Sequence, residues 1–180
     1  MDRIYFVSRS KDKDNEVEEF LKGTFKVEFI QEKLPKLQSE EIDYIVREKA
    51  KKAFELLKRP VLVEHTSFCI HVFNDIKGID TNYFAAQFGY DRIAEYCQFK
   101  NNYGAHAESS FCLYDGKYFY TGEEKDEGEI IKPDDIVKDV NGGFGWDRIF
   151  IPDEDNSENK TYEELKLENP KRRTMRSKAW

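Results

Sequence analysis

"PVLVEHTSF", Pro60 to Phe68, is the stretch that decides how this chain is read. A proline boundary followed by three apolar residues predicts a buried strand running into a turn, and that strand carries Glu64 and His65 to its carboxyl end. In α/β proteins, ligands and catalytic groups gather outside the carboxyl ends of the strands. His65 is therefore either a catalytic residue or the replacement of one.

Working outward, "SEEIDYIVREKAKKAFELLKR", Ser39 to Arg59, spaces its apolar residues as a helix does, with Ser39 as the predicted N-cap. "RIYFV" and the alternating "TFKVEFIQ" read as two earlier strands. Between them a polar loop, "SRSKDKDNE", leads into an amphipathic helix ending at "LKG". Beyond Phe68, "CIHVFN" and "AHAESSFCLYDGKYFYTGEE" predict an antiparallel portion turning at Asp115 and Gly116. "NYFAAQFGYDRIAEYCQF" reads as helix, "NGGFGWDRIFIP" as a Gly-rich loop entering a short strand, and "NKTYEELKLENP" as a capped helix. Strands alternate with helices early and cluster later, which predicts an α/β fold around a mixed sheet. At 180 residues the chain is one domain's length, and residues 1–180 are read as a single domain.

Charge and cysteine usage narrow the partners. There are 29 Lys and Arg against 36 Asp and Glu, a formal net charge of -7, so duplex nucleic acid is not expected as a partner. Cys69, Cys97 and Cys112 are scattered and odd in number, which suits neither a metal knot nor a disulfide framework. The opening "MDRIYFVSRS" lacks a signal-peptide core, and no 18-residue apolar run occurs. A cytoplasmic location with no membrane association is the expectation.

Three segments carry candidate chemistry. The loop "SRSKDKDNE" sits between strand and helix, where backbone amides with Ser8, Ser10 and Lys13 could cradle phosphate; the alternative is a solvated turn. In "GGFGWD" the aromatics Phe144 and Trp146 flank a glycine and Asp147 follows. Such a loop either stacks a base while a carboxylate reads its edge, or is a glycine turn anchored by core aromatics. The basic "KRRTMRSKAW" is either a solvated tail or a source of Arg and Lys for a phosphate or keto oxygen. His71 and His106 show no obvious clustering in the sequence.

Taken in order, these segments resemble the inosine triphosphate pyrophosphatase family, which hydrolyses deaminated purine triphosphates to monophosphate and pyrophosphate. "GGFGWDRIFIP" followed by "KTYEEL" is similar to the family's "FGWDPxFxP" and "TxAEM" elements. "PVLVEHTSF" is similar to "PVLVEDTxL", and "YTGEEKDEGEIIKP" to "GxxxGxIxxPRG". The resemblance implies an elongated, two-lobed α/β domain with a central mixed sheet, a nucleotide cleft between the lobes and a homodimeric state. It implies that Phe144, Trp146 and Asp147 hold the purine and that Arg176 reads its 6-keto group. It also implies phosphate-side roles for Ser8, Lys13, Glu16 and Lys49, with Arg9 and Ser10 standing where the family has Gly and Asn, and adds Ser10, Thr66 and Lys171 as substrate-binding residues.

At the catalytic centre the pattern departs. The family's magnesium-binding, water-activating Asp is His65 here, next to Glu64, and a second metal carboxylate falls at Lys36. Magnesium favours oxygen ligands, which neither side chain offers. The His before the family's arginine is Met175, its lysine register falls on Pro170, and its "LPG" turn reads Ile76 to Asp80. With base-reading residues kept and metal carboxylates replaced, the sequence predicts a catalytically degenerate binder of ITP, dITP or XTP. Such a protein would signal to a separate effector in a stress or phage-defence setting. The alternative is an active magnesium-dependent pyrophosphatase that recruits Glu64, Glu40 or Glu41, and a third reading is a scaffold that binds no nucleotide.

Overall fold

A computed structural model of the chain describes residues 3–35, 37, 39, 41–73, 87–136, 145–169, 172 and 174–179. Lys36, Glu40, Phe144, Pro170, Lys171 and residues 76–80 lie outside them, as do residues 82–86 of the predicted helix before Phe99. Six strands form one sheet: β1 (Arg3–Ser8), β2 (Lys26–Gln31), β3 (Val61–Ile70), β4 (Gly104–Tyr114), β5 (Phe119–Ile130) and β6 (Phe150–Pro152). Their order is β2-β1-β3-β4-β5-β6; β1 pairs parallel with β2 and β3, and β5 antiparallel with β6. The helices are α1 (Lys11–Leu21), α2 (Ile42–Leu57), α3 (Tyr90–Lys100), α4 (Tyr162–Glu168) and α5 (Met175–Ala179). The sheet is mixed and flanked by helices, as the sequence predicts.

Packing divides the chain into two compact units: Met1–Thr66 with Ser109–Glu124 and Met175–Trp180, and Ser67–Glu108 with Lys125–Thr174. In the first unit, strand alternation sorts the core into two layers. Tyr5, Val7, Val61 and Val63 pack with Val46, Ala50 and Ala53 of α2. Ile4, Phe6 and Leu62 point the other way and pack with Val17 of α1. The second unit is built on aromatics: Phe68 and Trp146 stack at 4.5 Å, and the Phe150 ring meets Phe68, Trp146 and Tyr162 edge-on.

Local sequence chemistry explains several boundaries. Thr161 caps α4 in a complete capping box with Glu164, its backbone N–H donating to the Glu164 carboxylate at 2.7 Å. Asp115 Oδ1 accepts from the N–H groups of Lys117 and Tyr118, both at 2.7 Å, and Gly116 takes a φ of 98°, closing the β4–β5 hairpin where the sequence places it.

Three expectations need correction. The N-cap of α2 is Glu41; Ser39 instead accepts the Glu41 N–H through its hydroxyl, a turn one step before the helix. β3 does not turn after His65 and Thr66 but runs on to Ile70, with the Ser67 hydroxyl satisfied across the sheet by Glu108 and with Phe68 and Cys69 buried. "CIHVFN" supplies the end of β3 and a 3₁₀ turn, His71–Phe73, rather than a strand of its own.

Gly128 on β5 tests the β5–β6 packing. A Cβ there would lie 2.2 Å from the Ile151 carbonyl oxygen and 2.8 Å from the Phe150 ring. Gly128→Ala is expected to cost about 1–3 kcal/mol, read as a lower denaturation midpoint at unchanged m-value.

Candidate functional site

The alternation that orders the first unit's core also separates the two residues in question. Leu62 and Glu64 share the face toward α1; Val61, Val63 and His65 share the face toward α2. Glu64 is accordingly buried beneath Lys13 of α1, whose ammonium donates to its carboxylate, as does the Thr66 hydroxyl. Ser109 of β4 donates to the same carboxylate at 2.9 Å, and Arg176 Nε of α5 at 3.1 Å. The guanidinium extends the network, with Nη1 donating to Glu16 at 2.5 Å and Nη2 to Thr66 at 3.1 Å. From α2, Lys49 Nζ donates to the Glu64 carbonyl at 3.0 Å.

The electrostatics follow from this arrangement. Burial alone would raise the Glu64 carboxyl pKa, but the cations of Lys13 and Arg176, with hydrogen bonds from Lys13 and Thr66, hold it well below the usual range. Arg176 is raised: burial works against its charge and is outweighed by Glu64 and Glu16. Lys49 is lowered to about 8 by burial and by the charge of Lys13. His65 is lowered to about 4, first by burial and then by Lys49, so at neutral pH it is an uncharged imidazole.

The phosphate-side candidates Ser8, Ser10, Lys13, Glu16, Lys49 and Thr66 thus fall in one unit with Glu64, His65 and Arg176. Ser8 Oγ accepts the Ser10 N–H at 3.0 Å at the start of α1. The Ser10 hydroxyl is buried and has no partner among the described residues. A helix N-terminus with an unsatisfied hydroxyl suits an anion.

Trp146 and Asp147 fall in the second unit, and Phe144 and Lys171 lie outside the described residues. Trp146 is buried among Phe68, Phe150 and Tyr162, the core position of the two readings of its loop. Asp147 is buried and paired with Lys166 of α4 at 2.7 Å. Sequence reasoning missed Lys166 and Ser109, because neither partner is near in the chain and only the fold brings them together.

Magnesium is the ion that the resemblance implies. Glu64 and Glu16 offer oxygen donors, which fits an ion held by one or two carboxylates together with a substrate's phosphates; His65 does not fit. Glu41 is exposed at the start of α2. Both cluster carboxylates are engaged with cations, so a phosphorylated ligand that drew Lys13 and Arg176 away would release Glu64 for metal binding.

An open mixed α/β sheet carrying a buried carboxylate ringed by Lys and Arg defines the class of protein. The sequence profile of the Ham1 family matches residues 4–180, and the chain belongs to that family. It is 30% identical over 178 residues to the inosine triphosphate pyrophosphatase 2 of Trypanosoma cruzi, covering 98% of this chain and 88% of the relative. It is 24% identical to the dITP/XTP pyrophosphatase of Saccharolobus solfataricus, covering 99% and 90%. The structure of the Staphylococcus aureus Ham1 protein matches with a TM-score of 0.77 at 17% identity, covering 98% of this chain and 93% of that one, a likeness of fold.

Two measurements check the cluster. Glu64→Gln takes the counter-charge from Lys13 and leaves Arg176 with Glu16 alone, and is expected to cost about 3–5 kcal/mol of unfolding free energy. For His65, the unfolded chain takes up a proton near pH 6.5 and the folded chain only near pH 4, so stability is lost as pH falls through that window. In urea unfolding at pH 7 and pH 4.5, His65→Gln should lose less stability between the two than the parent chain does.

Proposed function

We propose that this chain binds deaminated purine nucleoside triphosphates and hydrolyses them to monophosphate and pyrophosphate. One observation carries the reading: Lys13, Lys49 and Arg176 surround the buried Glu64, in a chain similar over nearly its whole length to inosine triphosphate pyrophosphatases. Three cations in a partly dry site are suited to a polyanion. The Ser10 hydroxyl and the N-terminal amides of α1 add neutral donors for phosphate oxygens.

Each side chain then has a role. Lys13 and Arg176 exchange Glu64 for phosphate, and Lys49 holds phosphate charge while its bond to the Glu64 carbonyl keeps it on β3. Glu64 and Glu16 would hold magnesium, which when bound supplies Lewis-acid charge neutralisation at the phosphates. His65, neutral at pH 7, takes a proton from the attacking water on its imidazole nitrogen. On the base side, Asp147 and Phe144 remain the residues proposed for the purine, with Trp146 held in the core beside Asp147. A keto-selective guanidinium role for Arg176 would require it to leave both of its carboxylates.

A second reading rests on His65 itself. An imidazole stands where the resemblance places an Asp, which favours binding without turnover and signalling to an effector protein.

Pyrophosphate release from ITP and dITP, with ATP as control and binding measured on the same samples, separates the two. Turnover with magnesium, faster on the keto purines than on ATP, is expected. His65→Ala should lower kcat by about 10²-fold or more, while Lys49→Met chiefly raises KM. Keto-selective binding without pyrophosphate would replace hydrolysis with the sensor reading, and the absence of both would sink the nucleotide assignment.

A further inference from the structure

The second unit holds a polar stripe that the nucleotide site does not use. Strand alternation puts Gly104, His106 and Glu108 of β4 on one face, opposite the buried Ala105 and Ala107. Ser67, Cys69 and His71 of β3 and its following turn meet that face. The Ser67 hydroxyl donates to Glu108 at 2.7 Å, Cys69 gathers with His106 and Glu108, and the His71 ring lies over Gly104. A Cβ at residue 104 would sit 2.3 Å from His71 Nδ1, so the missing side chain is what admits the imidazole. The ring is thereby aimed along β4, and its Nε2 lies 3.3 Å from His106 Nδ1. Glu127 of β5 completes a group whose three ligand atoms lie within 4.8 Å of one another.

We propose that His71, His106 and Glu127 form a binding site for a divalent transition-metal cation of the zinc type, tying the end of β3 to β4 and β5. The nitrogen spacing argues for it. Two imidazole nitrogens on one tetrahedral zinc, each at about 2.0–2.1 Å, stand about 3.3–3.4 Å apart. With no ion bound, the same spacing lets the two rings share an N–H···N hydrogen bond.

The chemistry fits as well. Imidazoles with one carboxylate suit zinc and not magnesium, so this site and the Glu64 cluster would select different ions. His106 is buried while Glu127 is exposed, so the metal would be anchored inside and reached from solvent, with its fourth position left to water. Glu127 is paired with Lys125 at 2.5 Å, a surface ion pair that a dication would outcompete.

The test uses the full chain, stripped with a chelator, dialysed against zinc and assayed for metal content and thermal stability. About one zinc per chain is expected. So is a Tm rise of about 5–10 °C at zinc a hundredfold above its Kd. His71→Gln, at a half-buried position, and Glu127→Gln should lower zinc affinity at least tenfold while leaving the circular dichroism spectrum unchanged. A folded parent chain that retains no zinc and shows no Tm shift would overturn the proposal. So would zinc binding that survives His71→Gln but is lost in Cys69→Ala, which would place the ion on the deeper Cys69, His106 and Glu108 group instead.

Discussion

A single buried carboxylate sets the terms for the first unit. Glu64 sits in the middle of β3 with almost no solvent contact, and an unpaired ion there would be untenable. Its neutralisation recruits Lys13 from α1, Ser109 from β4 and Arg176 from α5, while Lys49 of α2 holds the carbonyl of the same residue. Residues more than a hundred positions apart are thus registered against one pair of oxygens. The short α5 would bury little on its own, and its attachment through Arg176 to Glu64, Glu16 and Thr66 gives it a place.

What was legible in the sequence was what depends on neighbours in the chain. The Thr161 and Glu164 capping box, the Asp115 and Gly116 turn and the apolar spacing of α2 each encode their structure within a few residues. The length of β3 was not legible. The strand reads as ending near Thr66, yet it continues to Ile70 because Glu108 satisfies Ser67 from elsewhere in the chain and the apolar residues after it are buried. The start of α2 failed for the opposite reason: Ser39 has the chemistry of a cap and spends it on a turn.

The candidate site was legible by type and not by arrangement. Lys13, Glu16, Lys49 and Thr66 meet around Glu64 and Arg176, but the sequence could not reveal that Arg176 lies on Glu64, or that Asp147 is paired with Lys166. Nor could it reveal the meeting of His71 and His106, which lie 35 positions apart and are joined by the passage of β4 beside the end of β3. The composition of "GGFGWD" left two readings of Trp146 open. The stack on Phe68 places the Trp146 ring in the aromatic core of the second unit.

The exchange of an Asp for His65 is best understood through charge and face together. Since adjacent residues of a strand point to opposite sides, position 65 serves the α2 face, where Lys49 lies, while still feeling the charges of Glu64 and Lys13. A carboxylate there would bring the set of Lys13, Lys49, Arg176, Glu16 and Glu64 to neutrality, whereas a neutral imidazole leaves one positive charge in excess. Burial lowers the basicity of Lys49 and His65, and a neighbouring cation lowers each further. A polyphosphate entering such a site relieves the repulsion as it binds. An imidazole in place of a carboxylate at position 65 would therefore strengthen the attraction of the cluster for an anionic ligand.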